Sequence, residues 1–275
     1  MSIAKELKVR HPDNKFILIP SILFLVTTLT ILWLTSSFTT SIISGLTVLL
    51  VSVLTCIFHV YRSTLEAIKY QDKRNQSLLN IHRMINTSDP LPSMAGWASF
   101  PALIEVILME ASRKKDTHVF EIGSGSSTII LSYLFNQKKA GRITSIDHDE
   151  VFGNKTRTEL DDRGLSEFAD VFICPLSKQR VLDGEYNWYD ISNMNIEDPI
   201  DIVIVDGPPE KTQKNARFPA LPLLIDKLSD SAVIILDDSA RKEEKEIVRM
   251  WLKEYPEFEH QYIDSEKGIS VLRRG

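Results

Sequence analysis

The sequence predicts an α/β fold: a mostly parallel sheet with helices on both faces, preceded by a two-helix transmembrane hairpin. Three observations carry this reading. From residue 118 onward, short strand-like runs alternate with helix-like stretches, the order that builds a parallel sheet. Runs such as "IVIV" and "VIIL" are apolar without alternation, as in strands buried on both faces. From Phe16 to Tyr61 there is no Asp, Glu, Lys or Arg.

That charge-free window holds two apolar runs, Phe16 to Leu34 and Ser41 to Tyr61. Each has about 20 residues, and a helix of that length rises roughly 30 Å, the thickness of a bilayer's hydrocarbon core. Neither shows the polar stripe that a soluble helix keeps. The short polar linker "TSSFTT" predicts an antiparallel hairpin. Lys5, Lys8, Arg10 and Lys15 precede the pair, Arg62, Lys69, Lys73 and Arg74 follow it, and the linker has no basic residue. The positive-inside rule then places both ends in the cytoplasm. Reading the first run as a cleaved signal peptide leaves the C-terminal domain on the same side. The expected organisation is a cytoplasmic tail (1–15), the hairpin (16–61), a helical stalk (62–91) and a catalytic domain (92–275).

After the stalk, "TSDPLP" breaks the helix, and "FPALIEVILMEASRKK" reads as an apolar helix with a basic last turn. "HVFEI" is a strand, "SSTIILSYLF" a helix, "RITSID" a strand, "EVFGNKTRTELDDRG" a polar helix and "ADVFI" a strand. A loop containing "EYNWYD" leads to the strand "IDIVIVD". "ARFPALPLLIDKLS" reads as a helix, "AVIILD" as a strand and "RKEEKEIVRMWLKEY" as an amphipathic helix. "FEHQYID" and "GISVLRR" close the chain as a hairpin around "SEKG".

The chain of 275 residues has a net charge of −5, which argues against a nucleic-acid-binding face. Its two cysteines, Cys56 and Cys174, are too few for a disulfide framework.

The turn "GSGSS" joins the first strand to its helix, where ligands of such sheets bind. Gly123 and Gly125 give G-x-G, but Thr128 stands where a dinucleotide loop has its third glycine. Glu121 ends the strand beneath the turn. A carboxylate there would repel a pyrophosphate by roughly 4 kcal/mol per charge pair at about 4 Å and an effective dielectric near 20. It would attract a cation. S-adenosylmethionine, a nucleoside with a sulfonium, an ammonium and no phosphate, answers that requirement. Asp147, at the end of the next strand, is the expected partner of the ribose hydroxyls. No G-x-x-x-x-G-K-[ST] sequence is present, which argues against a P-loop nucleotidase.

"FEIGSGSSTIIL", "ITSIDHDE", "DIVIVDGPP" and "SAVIILDDS" resemble the successive motifs of class I S-adenosylmethionine-dependent methyltransferases. "PSMAGWASFPAL", "NWYD", "VDGPPEKTQKNARFPALPLL" and "GISVLR" resemble one bacterial subgroup of them. The resemblance covers about Pro92 to Gly275 and implies a seven-stranded Rossmann-like sheet and methyl transfer. The cofactor residues expected on this basis are Glu121, Gly123, Ser124, Gly125, Ser127, Asp147, His148, Pro175, Leu176 and Asp206.

Asp206, Asp237 and Asp238 end two neighbouring strands, and three converging carboxylates need a positive partner. A hard divalent cation such as Mg²⁺ would serve, and the pattern is similar to the metal-binding set of catechol-type and macrolide-sugar O-methyltransferases. The alternative gives Asp206 to the cofactor pocket, Asp237 to a strand end and Asp238 to a helix cap. Catechol-type enzymes place a lysine three residues after the first aspartate. Here Pro209 stands there, leaving Lys211 or Lys214 to substitute. Asp206 and Lys211 are the catalytic candidates. "DGPP" lacks the aromatic residue of the D/N-P-P-Y loop that stacks on a flipped base, so DNA is rejected as substrate. Trp97 and Ser99 are candidates to close over the cofactor or simply to pack, Tyr186, Trp188 and Tyr189 to line an acceptor pocket or to pack onto the domain, and Arg217 to bind an acidic acceptor or to pair with a surface carboxylate.

The expectation is a membrane-anchored, cytoplasm-facing methyltransferase acting on oxygen in a small-molecule, lipid-linked or glycan acceptor, with a homo-oligomer left open. The competing reading is a non-catalytic membrane scaffold or sensor that retains the cofactor-binding fold.

Overall fold

A computed structural model describes residues 15–35, 38–94, 99–196 and 199–275. The chain divides into two compact units, one ending at Asp72 and one spanning Lys73–Gly275.

In the first unit, α1 (Lys15–Thr35) and the start of α2 (Phe38–Met84) are apolar helices. Many of their described side chains are exposed, among them Leu25, Leu46, Leu50 and Phe58. α2 is long and apolar enough to cross a membrane by length and composition. The described apolar part of α1, Ile22–Leu34, is shorter than that test requires. The two helices meet at Gly45, where a Cβ would lie 2.3 Å from Thr28 Oγ1 and 2.8 Å from the Phe24 ring. A larger residue there would force those side chains to shift.

The second unit begins earlier than Pro92. The last turns of α2 belong to it, because Ile81 and Ile85 are buried one turn apart in its apolar core. Asn80 Nδ2 donates to Glu105 Oε1 at 2.6 Å, and Lys73 Nζ donates to the Asp264 carboxylate at 2.8 Å. The expected stalk is therefore partly core.

The remaining elements are α3 (Pro101–Ser112), β1 (His118–Ile122), α4 (Ser126–Lys138), β2 (Arg142–Asp147), α5 (Glu150–Asp162), β3 (Ala169–Ile173), β4 (Leu176–Val181), β5 (Gly184–Tyr189), β6 (Ile200–Val205), α6 (Ala220–Leu224), β7 (Leu228–Leu236), α7 (Lys242–Glu254), β8 (Phe258–Ile263) and β9 (Ile269–Arg274). Seven strands form one sheet in the order β3-β2-β1-β6-β7-β9-β8. β1, β2, β3, β6 and β7 pair in parallel, and the β8–β9 hairpin adds two antiparallel strands at one edge. This is a mixed Rossmann-like sheet with flanking helices. One apolar cluster joins α3, α4 and the end of α2 to the sheet. The other gathers Trp188, Tyr189, Phe218 and Trp251 on the opposite face.

Two segments differ from the sequence reading. The stretch after β3, read as a loop, is an antiparallel hairpin, with Leu176 opposite Tyr189 and Val181 opposite Gly184. Its inward residues Val181, Trp188 and Tyr189 are buried in the second cluster, so the aromatic stretch is a strand. The helix expected over Ala216 to Ser229 is held to the five residues of α6, followed by a single 3₁₀ turn at Ile225–Lys227. Pro219 and Pro222 lie within that stretch and cannot donate to a longer ladder.

Candidate active site

The order of strands reverses between β1 and β6, and the loops leaving those two strands border a cavity of about 610 Å³. The first loop is the glycine turn. Gly123 has φ +104°, a conformation that side-chain-bearing residues rarely adopt, and its N–H donates to Ile146 O at 2.8 Å. Asp147, at the end of β2, braces the turn: its Oδ2 accepts from Ser124 N at 3.1 Å and from Ser124 Oγ at 2.7 Å. Its Oδ1 accepts from Asp149 N at 3.0 Å. Gly123, Ser124, Gly125, Asp147 and His148 all line the cavity. Ser127 lies just beneath it, its hydroxyl 3.3 Å from that of Ser99, and Ser99 lines the wall.

Glu121 stands elsewhere than expected. It is fully buried and does not line the cavity. Its carboxylate accepts from the hydroxyls of Ser127, Thr128 and Ser145 at 2.5, 2.5 and 2.9 Å. Thr128 Oγ1 in turn accepts from Gly125 N at 3.0 Å. Glu121 therefore holds the turn and the start of α4 from below. Burial pushes its pKa up to about 7, with the three hydroxyls pulling the other way.

The far end of the cavity is charged. Asp206 follows β6, and Asp237 and Asp238 follow β7, where Asp237 N donates to Val205 O at 3.1 Å. Their carboxylate atoms lie within 4.8 Å of one another. Arg217, 4 % exposed, reaches into this group. Its Nη2 donates to Asp238 Oδ2 at 2.9 Å, to Asp206 Oδ1 at 3.3 Å and to Asp206 O at 3.1 Å, and its Nη1 donates to Asp237 O at 3.1 Å. Arg241 Nη1 and Lys267 Nζ approach Asp238 at 3.0 and 3.7 Å. Burial and the Asp237 charge push the Asp206 pKa up to about 7, against the pull of Arg217. Burial and Asp238 also raise that of Asp237.

Residues 120–239, rather less than half of the chain, match the family described as "Methyltransferase domain". The chain has a methyltransferase fold over that segment. Its enzymatic class is S-adenosylmethionine-dependent methyl transfer. No curated protein matches the chain. A methyltransferase of Podospora anserina, PaMTH1, solved with S-adenosylhomocysteine, is 16 % identical over 72 % of this chain and 87 % of its own, with a TM-score of 0.52. The O-methyltransferase TomG of Streptomyces achromogenes is 17 % identical over 71 % of this chain and 86 % of its own, with a TM-score of 0.48.

Within the methyltransferase domain, some expected site residues converge and others do not. Asp206, Asp238 and Lys211 line the cavity together with the glycine turn. Lys214 pairs with Glu246 at 3.6 Å and does not line the cavity, whereas Lys211 does. Pro175 and Leu176 do not line the cavity, because Leu176 opens β4 and packs into the core below. Tyr189 does line it, edge-on to His148 with ring centroids 5.8 Å apart. Tyr186 and Trp188 pack instead into the second cluster. Trp97 lies outside the described residues.

Sequence reasoning missed Phe152, Arg241 and Lys267 as lining residues. Phe152 is exposed in the first turn of α5, five residues beyond Asp147. The carboxylate group was legible, but the direction taken by Arg217 was not. For a metal ion the fit is divided. The buried Asp237 Oδ2 has no hydrogen-bond partner among the described residues, as a ligand atom would lack one without its ion. Against this, the Arg217 guanidinium already occupies the space between Asp206 and Asp238, and both oxygens of Asp238 face cations.

Proposed function

We propose that this protein is a membrane-anchored enzyme that transfers a methyl group from S-adenosylmethionine to an oxygen of a small, membrane-associated acceptor, a lipid or glycan intermediate, on the cytoplasmic side. One observation carries the reading: a single cavity joins the glycine turn and Asp147 to Asp206 and Lys211. The first pair suits the nucleoside and methionine parts of the cofactor. The second offers a carboxylate and an ammonium beside the place where the acceptor must approach. Asp206 is partly exposed there, its side chain at 25 %.

The chemistry is a displacement. The acceptor oxygen attacks the methyl carbon, a C–O bond forms, and the C–S bond breaks with its electron pair passing to sulfur. The positive sulfonium becomes a neutral thioether, and the acceptor proton passes to Asp206. Alignment supplies most of the rate, since the sulfonium is already activated.

The anchor reading rests on α2 and on the contact of α1 with α2 at Gly45, which supports a hairpin. The basic flanks and the neutral linker support a cytoplasmic domain. The resemblance of "VDGPP" to one bacterial subgroup supports the same reading. The test is incubation of the full-length protein in membranes with methyl-labelled cofactor, followed by mass spectrometry of the lipid fraction. A labelled lipid heavier by one methylene supports the reading. Label appearing only in water-soluble acceptors, at the same rate without residues 1–61, overturns the membrane part of it.

A further inference from the structure

We propose that Arg217 is the resident cation of this site: its guanidinium stands in the place a divalent metal would take, and methyl transfer here is metal-independent. The inference rests on the methyltransferase reading and adds a class of acceptor to it.

Carboxylate atoms of Asp206, Asp237 and Asp238 gathered within 4.8 Å repel one another unless a positive group lies among them. A hard dication would take oxygen ligands from those carboxylates and from nearby carbonyls. Arg217 already uses that kind of set. It donates to the carboxylates of Asp206 and Asp238 and to the main-chain carbonyls of Asp206 and Asp237. A guanidinium is planar, carries its donors in a fixed fork and keeps its charge at every physiological pH. It therefore ties the end of β6 to the end of β7 permanently, which a metal would do only when bound.

Arg217 and Lys267 face the same cluster as the three aspartates, and Arg241 joins them while also pairing with Glu210 and Glu244. A dication could reach Asp206 and Asp238 together only by displacing a buried arginine.

The consequence for the acceptor is specific. A metal-dependent site chelates two adjacent oxygens and so selects catechols and vicinal diols. A guanidinium buried behind Asp206 offers no open coordination positions. The acceptor class is then a molecule presenting one hydroxyl to Asp206, with no second oxygen required beside it.

The decisive measurement is a Mn²⁺ titration of the full-length protein in detergent, read by electron paramagnetic resonance and so independent of turnover. The expected result is no bound Mn²⁺ up to millimolar concentration, no change in melting temperature, and cofactor binding unaffected by EDTA. Arg217→Ala should then acquire Mn²⁺ binding, lost again when Asp237→Ala is added. Micromolar Mn²⁺ binding by the unaltered protein, abolished by Asp237→Ala, overturns the proposal. So does a folded Arg217→Ala that remains indifferent to Mn²⁺. If Arg217→Ala does not fold, the titration of the unaltered protein decides alone. Failure to find any methyl acceptor leaves these readouts intact, so the two readings fail separately.

Discussion

The hydroxyl of Thr128 donates to the buried carboxylate of Glu121 at 2.5 Å while accepting from the N–H of Gly125. The residue that replaces a dinucleotide loop's third glycine is thus the link between the turn and the acid below it. Burial pushes the Glu121 pKa up to about 7 from an ordinary value of 4.5. Between those values the folded protein binds more protons than the unfolded chain, so its stability falls as pH rises through that window. Glu121→Gln should remove its own part of this slope, a difference on the order of 3 kcal/mol at pH 7, while the raised pKa of Asp206 keeps another part. Melting temperatures of the two proteins between pH 4.5 and 7.5 check it, with the unaltered protein showing the steeper decline.

Asp147 holds Ser124 with two hydrogen bonds and stands at the cofactor end of the cavity. Asp147→Ala should weaken S-adenosylmethionine and S-adenosylhomocysteine alike, by roughly 10- to 100-fold, the worth of one or two hydrogen bonds to a charged group. Calorimetric titration of both nucleosides reads this directly.

Asp206→Asn retains the shape of the side chain but cannot accept the acceptor's proton. Turnover should fall by roughly 100- to 10,000-fold. Cofactor affinity should change far less. A parallel loss of both would move Asp206 from proton transfer to cofactor binding.

Gly207→Ala would place a Cβ 2.2 Å from the hydroxyl of Tyr189, a side chain that is 1 % exposed and lines the cavity. The ring has to shift, at a cost of about 1–3 kcal/mol. Adding Tyr189→Phe should recover part of the loss, and that non-additivity in chemical denaturation identifies the clash.

The apolar face of α2 predicts that the full-length protein stays with the membrane pellet through an alkaline carbonate wash. Recovery in the supernatant contradicts the anchor.

Much of this site could be read from residue order, because parallel strands buried on both faces leave unbroken apolar runs. The acids at their ends, Asp147, Asp206 and Asp237, then fall where ligands bind. The face of Glu121 was also readable, although it was missed. Alternation along β1 puts it on the side of Val119, which packs with α4, whereas Phe120 and Ile122 face the other cluster. The β4–β5 hairpin was missed because its aromatics resembled a loop lining, while cross-strand pairing such as Ser177 with Trp188 carries no local signature. Arg217 is the least legible. Nothing local tells an arginine eleven positions after Asp206 to fold back beneath it, since that depends on the turns of residues 207–219.

The burial of Ile81 and Ile85 has a practical consequence for handling the catalytic half in isolation. A fragment cut at Pro92, at the border the amino-acid pattern suggests, would lack the helical turns that seal the core beside α3. Its unsealed apolar surface would invite aggregation during expression. Cutting ahead of Lys73 retains those turns and the tie to Asp264, and gives the shorter chain its best chance of staying dispersed long enough to crystallise.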